Sequence, residues 1–164
     1  MKCKSTYTDS ENGKLYQELM THKATNPTFV EEIKESFVKQ TIMALIGGEL
    51  TRVEPGVIEI SLPYRTDLTQ QHGYVHAGII TTIADSACGY AAYTLMPPGS
   101  DVLAVEFKVN LMRPAKGEMF VARAEVIKSG RTLTVVRADV HALSNGDKRE
   151  LVAIMQGTMM RLQR

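Results

Sequence analysis

His76-Ala77-Gly78 and Asp85 are the residues whose types and spacing are best suited to chemistry. They frame an almost wholly apolar run, Ile79 to Ala92, in which Asp85 is the one carboxylate. The run is too apolar for a surface and too short to cross a bilayer, so it predicts a buried helix. A carboxylate there is costly unless it is paired or used, and we expect it to be used. Such a group can act as general base on water or as a nucleophile. Ala77 and Gly78 fall where the helix begins. First-turn N–H groups have no intrahelical acceptor and sit at the positive end of the helix dipole, so they suit a developing oxyanion. His76 is expected to orient this turn through a ring hydrogen bond rather than to carry protons.

One helix does not bring both groups to one atom. Eight residues separate Ala77 from Asp85, about 12 Å of axial rise. Two antiparallel copies of the helix would set Ala77 of one chain against Asp85 of the other. A dimer built that way would hold two composite sites, joined through the apolar helix and a shared sheet edge.

The elements that must position these groups follow from periodicity. Residues 1–12 read as a disordered tail and residues 13–47 as a helical extension. Within the extension, Gly13 to Ala24 is helix-forming, and a second helix runs from Pro27 to about Leu45. That second helix has Phe29, Ile33, Phe37 and Ile42/Met43 near one face. Gly47-Gly48 ends it. Residues 48–164 then form one domain. Glu49–Val53 and Val57–Leu62 flank a Glu54-Pro55-Gly56 turn as a hairpin. A glycine-punctuated turn from Gln70 to Val75 leads into the buried helix, which Pro97-Pro98-Gly99 terminates.

Four alternating segments follow, read as a meander. In the first, Leu103, Val105, Phe107, Val109 and Leu111 share a face. Phe120, Ala122, Ala124 and Val126 do so in the second, and Val136, Ala138 and Val140 in the third. The last runs from about Arg149 to Arg161, with tight turns at residues 128–131 and 144–147. An antiparallel sheet curling around a single apolar helix satisfies this order, and Ala84, Ala87, Gly89 and Ala91 allow close helix–sheet approach.

Composition narrows the function. A chain of 164 residues suits one domain with a substantial core, and 44% apolar content is ordinary for a globular protein. The formal net charge of +1 argues against a nucleic-acid protein driven by overall charge, and no segment is apolar enough for a membrane span. The start lacks a signal-peptide core, and Cys3 and Cys88 are poor disulfide candidates, so a reducing cytoplasm is expected. Four histidines without metal-ligand spacing predict no metal.

Gly73-x-x-His76-Ala77-Gly78, Asp85 nine residues after the histidine, and Leu111-Met112-Arg113-Pro114-Ala115 together resemble the hotdog-fold acyl-CoA thioesterases. More narrowly, they resemble the phenylacetate-degradation (PaaI-like) subfamily. The likeness spans roughly Gly48 to Leu162 and rests on the order and spacing of short motifs. It implies an α+β hotdog fold, an antiparallel sheet wrapped around one long central helix, with the N-terminal helices as an addition.

By the same resemblance, Asp85 matches the catalytic carboxylate and Ala77 N–H the donor that polarises the thioester carbonyl. His76 and Gly78 match the turn around that donor. Lys128, Gly130 and Arg131 match a turn that contacts coenzyme A, and Asn110 and Arg113 lie along the same groove. With Lys108 and Lys116, these basic residues are expected to cluster on neighbouring strand ends and meet phosphates. The expected substrate is an acyl-coenzyme A, with no separate cofactor, and the assembly a homodimer or homotetramer.

Three positions depart from the pattern. Gln70 stands where relatives often carry an Asn, with the same donors and acceptor on a longer arm. Ala77 replaces a glycine, which leaves a backbone donor intact unless positive φ is needed. Ala104 stands where some relatives place a Ser or Thr that helps hold the nucleophile, a role that is then vacant or passes elsewhere, with His72 and Thr82 as candidates. Two other readings stand beside this one. One is a hotdog hydratase or dehydratase, which would want a catalytic histidine with a carboxylate partner. The other is a non-catalytic acyl-CoA binder or sensor.

Overall fold

The computed structural model describes residues 22–144 and 148–163. Two short helices, α1 (Phe29–Phe37) and α2 (Thr41–Ile46), precede the hairpin of β1 (Glu49–Glu54) and β2 (Val57–Pro63). A 3-10 turn at Thr66–Leu68 and the glycine-punctuated loop lead into α3 (Ala77–Tyr93). The strands β3 (Ser100–Leu111), β4 (Met119–Ser129), β5 (Leu133–Ser144) and β6 (Lys148–Gln163) complete the chain. All pairings are antiparallel, and the six strands form one sheet in the order β1-β2-β4-β5-β6-β3.

This sheet packs around α3, which touches β2 through β6. That is the hotdog arrangement. The helix buries Ile80, Ile83, Ala84, Ala87, Cys88, Ala91 and Ala92. Its alanines meet small residues on the sheet, since Ala122, Ala124, Ala138 and Ala142 are also buried. Small side chains on both surfaces let the helix backbone sit close to the sheet, where dispersion contacts are densest. The alternation expected on β4 and β5 holds throughout. Phe120, Ala122, Ala124 and Val126 face inward with Val136, Ala138 and Val140. Arg123, Glu125, Arg137 and Asp139 face outward and pair with one another along each strand.

The structure corrects the sequence reading in three places. The helix expected from Pro27 to Leu45 is broken into α1 and α2, with Gln40 in an extended conformation between them. Phe29, Ile33 and Phe37 are four apart, but Met43 lies six beyond Phe37, a spacing that a continuous helix would turn away from the core. The break rotates Met43 and Ile46 inward, leaving Ile42 exposed. The proposed helix at Gly13–Ala24 lies almost wholly outside the described residues, and residues 22–24 are not helical. The 1–12 tail and the tight turn at 145–147 also lie outside them.

The last four strands are not a simple meander. β3 pairs with β6 rather than β4, and occupies the sheet edge. Alternation specifies which face of a strand is buried, but not which neighbour it takes. The β3–β4 connection crosses the end of the curled sheet, held by Met112 N–H to Val152 O, Val75 N–H to Ala115 O and Glu118 N–H to Leu143 O.

A bulge between Ala104 and Glu106 also reverses the faces of β3. Val102 and Ala104 pair with Arg161 and Met159, whereas Phe107, Val109 and Leu111 pair with Gly157, Met155 and Ala153. Leu103 therefore does not share the face of Phe107, because one extra residue shifts the two-residue period. Leu103, Val105, Phe107 and Leu111 are all exposed on this edge strand.

Candidate active site

At the start of α3, His76 is the N-cap in extended conformation, and its Nδ1 accepts the Gly78 N–H at 2.9 Å. The ring is thus the cap that the sequence suggested, and it occupies the Gly78 donor. The Ala77 N–H meets no acceptor among the described residues. Ala77 is helical, so its side chain in place of a hydrogen carries no backbone strain.

Upstream, Gly73 takes φ +80°, a conformation that favours glycine, and turns the loop so that Gln70 N–H reaches Tyr74 O and His76 N–H reaches Leu68 O. The Gln70 Oε1 accepts from the His72 N–H, which fixes the side chain while its amide NH₂ makes no bond among the described residues. Gln70, Ala77 and Arg113 line one cavity of about 460 Å³, otherwise walled by Tyr74, Ile80 and Met112. Its character is apolar with a few donors. That chemistry accepts an electron-rich oxygen.

Asp85 lies two turns further along α3 and opens into a different cavity of about 360 Å³. Its Oδ1 is shielded from solvent and has no hydrogen-bond partner among the described residues. Burial penalises the charged carboxylate and raises its pKa above the ordinary aspartate range. A carboxylate so placed is a stronger base than a solvated one and is free to bind water. Cys88, one turn on, is buried and its thiol is pushed far up, first by desolvation and then by the Asp85 charge. It stays protonated and inert.

The bulge in β3 directs Ala104 into the Asp85 cavity beside Met159, where it supplies no hydroxyl. Neither substitute named from the sequence fills that role. His72 lines a separate cavity with Tyr64 and Lys116, and the Thr82 hydroxyl donates to Gly78 O at 2.8 Å. Besides Tyr93, the hydroxyl side chains that line the Asp85 cavity are Ser86, Tyr90 and Ser36. They are linked through Gln40: Ser86 Oγ donates to its Oε1 at 3.1 Å, and its Nε2 donates to Tyr90 Oη at 3.1 Å. Sequence reasoning missed Gln40 and Ser36, because 46 to 54 residues separate them from their partners on α3. The i, i+4 spacing of Ser86 and Tyr90, which stacks them on one helix face beside Asp85, was the available signal.

The residues expected to meet phosphates are not brought together within one chain. Arg113 and Asn110 lie at one end of the sheet, with Arg113 beside Glu150. Lys128, Gly130 and Arg131 lie at the opposite end, where Ser129 pairs with Thr134 and Leu133 with Met160. Lys108 is between them, opposite Gln156. The expected single cluster with Lys116 therefore does not form, because β3 runs along the far edge instead of beside β4. Gly130 has a structural reason to be glycine: an added Cβ would fall 2.6 Å from Leu133 O. Among the described residues no group of three His, Cys, Asp or Glu is arranged to hold a metal ion, and no helix is long and apolar enough to cross a membrane.

Comparison with known proteins bears on this geometry. Residues 72–148 match the family model described as the thioesterase superfamily. A crystal structure of a thioesterase family protein from Silicibacter pomeroyi is 46% identical, covering 83% of this chain and 99% of that one, with a TM-score of 0.81. Human acyl-coenzyme A thioesterase 13 is 26% identical over 120 residues, which are 71% of this chain and 85% of that protein. The PaaI protein of the E. coli phenylacetic acid degradation operon shares the fold at 18% identity. Its TM-score is 0.72, over 82% of this chain and 94% of that one.

Proposed function

Because this chain belongs to the thioesterase superfamily and is a thioester hydrolase, we propose that it cleaves an acyl-coenzyme A to the free acid and coenzyme A. The site is shared between two protomers. Asp85 of one chain and Ala77 N–H of the partner subunit act on the same thioester carbonyl. One observation carries this reading: along a single α3 the free donor and the unpaired carboxylate open into two separate cavities. Each cavity holds half of what hydrolysis needs. The exposed apolar edge of β3 supports an antiparallel pairing of two chains, since such an edge is otherwise a liability in water. That pairing would also bring the Lys128–Arg131 end of one sheet towards the Arg113 end of the other, where the phosphates of coenzyme A need cations.

In the reaction, Asp85 takes a proton from water, whose oxygen attacks the carbonyl carbon. The developing oxyanion accepts from the partner subunit's Ala77 N–H, assisted by the Gln70 amide of the same partner. Collapse breaks the C–S bond, and the departing thiolate receives the proton from Asp85. Direct attack by Asp85, giving a mixed anhydride that water then opens, uses the same groups. The buried, unpaired Cys88 is consistent with a reducing compartment, and a cytoplasmic location is part of the proposal.

The test is thiol release from acyl-coenzyme A thioesters spanning acetyl to palmitoyl plus phenylacetyl, for wild type and Asp85→Asn. We expect turnover to fall about 10³-fold in a folded variant, within the range for loss of a general base. Equal turnover in both proteins would remove Asp85 from the chemistry. Tight binding without turnover in either would favour the acyl-CoA binder.

A further inference from the structure

The residues around Asp85 include a set that the reaction does not use. Ser36 of α1 and Lys39 and Gln40, from the segment between α1 and α2, line the cavity with Ser86 and Tyr90 of α3 and Asp101 of β3. Gln40 is the keystone. Its extended backbone breaks what would otherwise be one helix, and the break delivers its amide to Ser86 and Tyr90. Tyr90 Oη is also 3.1 Å from Ser36 Oγ, so four side chains form one connected network. Tyr90 is buried, and its ring packs on Phe37 of α1, which anchors the network to the core.

We infer that this network is the acyl-specificity wall of the site, and that it selects acyl groups bearing a hydroxyl at their distal end over plain alkyl chains. The inference rests on the hydrolytic reading above, with the acyl group passing Asp85 into this cavity. Bond capacity decides the chemistry. The network satisfies itself once but not fully. The Gln40 amide keeps a second N–H, Ser86 Oγ keeps lone pairs after donating, and Ser36 and Tyr90 share one hydrogen bond between two hydroxyls. An alkyl terminus would strip water from these groups and return nothing. A hydroxyl both donates and accepts, so it replaces that water. Sites built to bond a substrate hydroxyl reject the analogue lacking it far more strongly than apolar pockets reject a missing methylene.

The experiment compares kcat/KM for hexanoyl-coenzyme A and 6-hydroxyhexanoyl-coenzyme A, in wild type, Gln40→Leu and Tyr90→Phe. The wild type should prefer the hydroxylated thioester at least tenfold, and both substitutions should bring the ratio towards one. Tyr90→Phe removes only an oxygen and keeps the ring against Phe37, so it answers the question even if Gln40→Leu fails to fold. A wild-type ratio near one with brisk turnover, or a preference that survives both substitutions, would overturn this inference alone. No thiol release from either thioester or from the wider panel would overturn the hydrolytic reading and this inference with it.

Discussion

The two halves of α3 differ in what they present. The first turn offers a backbone donor with no acceptor among the described residues, beside a histidine cap and opening into an apolar cavity. The middle of the helix offers a carboxylate whose Oδ1 has no donor among the described residues, in a cavity lined by hydroxyls, the Gln40 amide, Lys39 and Asp101. Each half is incomplete in the way the other would repair. A helix is rigid, so its own two halves, about 12 Å apart, are not brought together by bending. In the proposed reaction, a second copy running the opposite way completes the site. The contrast explains why neither cavity of one chain looks like an active site by itself.

The sharpest way to break that comparison is to disable each half in a different chain. Ala77→Pro deletes the N–H alone. Proline is well tolerated at a first helical position, and His76, at φ −61° and ψ 137°, already has the extended conformation that a residue before proline requires. We expect kcat to fall about 10²–10³-fold, as for loss of an oxyanion donor, with the fold intact by circular dichroism. Mixing this variant with Asp85→Asn should then restore activity. In a random mixture half of the dimers are mixed, and one of their two sites is wild type, so about a quarter of all sites recover. Mixed dimers that form without recovery would show that donor and carboxylate act within one chain.

A second test separates the halves by pH. Burial raises the folded pKa of Asp85 above its unfolded value, so the ionised group opposes folding at pH above the folded pKa. Below the unfolded value of about 3.9 both states are protonated and the opposition is gone. Asp85→Asn should therefore melt at or above the wild-type temperature at pH 7–8, and the difference should shrink to nothing as pH falls towards about 3.5. The acid limb of the wild-type kcat/KM profile should sit above the ordinary aspartate range. A variant that melts lower at neutral pH would mean that the carboxylate is paired and stabilising in the assembled protein.

These groups were legible in the sequence to different degrees. The donor and the carboxylate were found because each violates a local rule: unpaired N–H groups at a helix start, and a charge inside an apolar helix. Strands β4 and β5 were legible because their buried face meets a single core, so the two-residue period is unbroken from Phe120 to Val126. β3 was misread because it carries apolar residues on both sides of its bulge, and periodicity cannot reveal one extra residue. Its place at the edge was hidden because partner choice is a property of the whole sheet. Gln40 was hidden for another reason. A polar residue in a helix-forming stretch looks like a solvated face until the fold brings Tyr90 and Ser86 to it.

The smallest expected effect concerns His76, and two substitutions decide its role. His76→Ala removes the cap and leaves the Gly78 N–H without an acceptor, at a cost of about 1 kcal/mol in stability. The loss falls on the central helix, so it should appear as a lower global melting temperature rather than local fraying. Turnover should drop less than tenfold, since the Ala77 donor remains. His76→Asn is the informative companion. Asparagine is as good an N-cap as serine or aspartate, but it cannot titrate near neutral pH. If the ring serves only to hold the turn, asparagine restores both melting temperature and turnover. A histidine that carried protons would instead leave His76→Asn stable and slow, by a factor of about 10² or more. The geometry favours the first outcome, because the Nδ1 that would exchange a proton is already occupied by the Gly78 N–H.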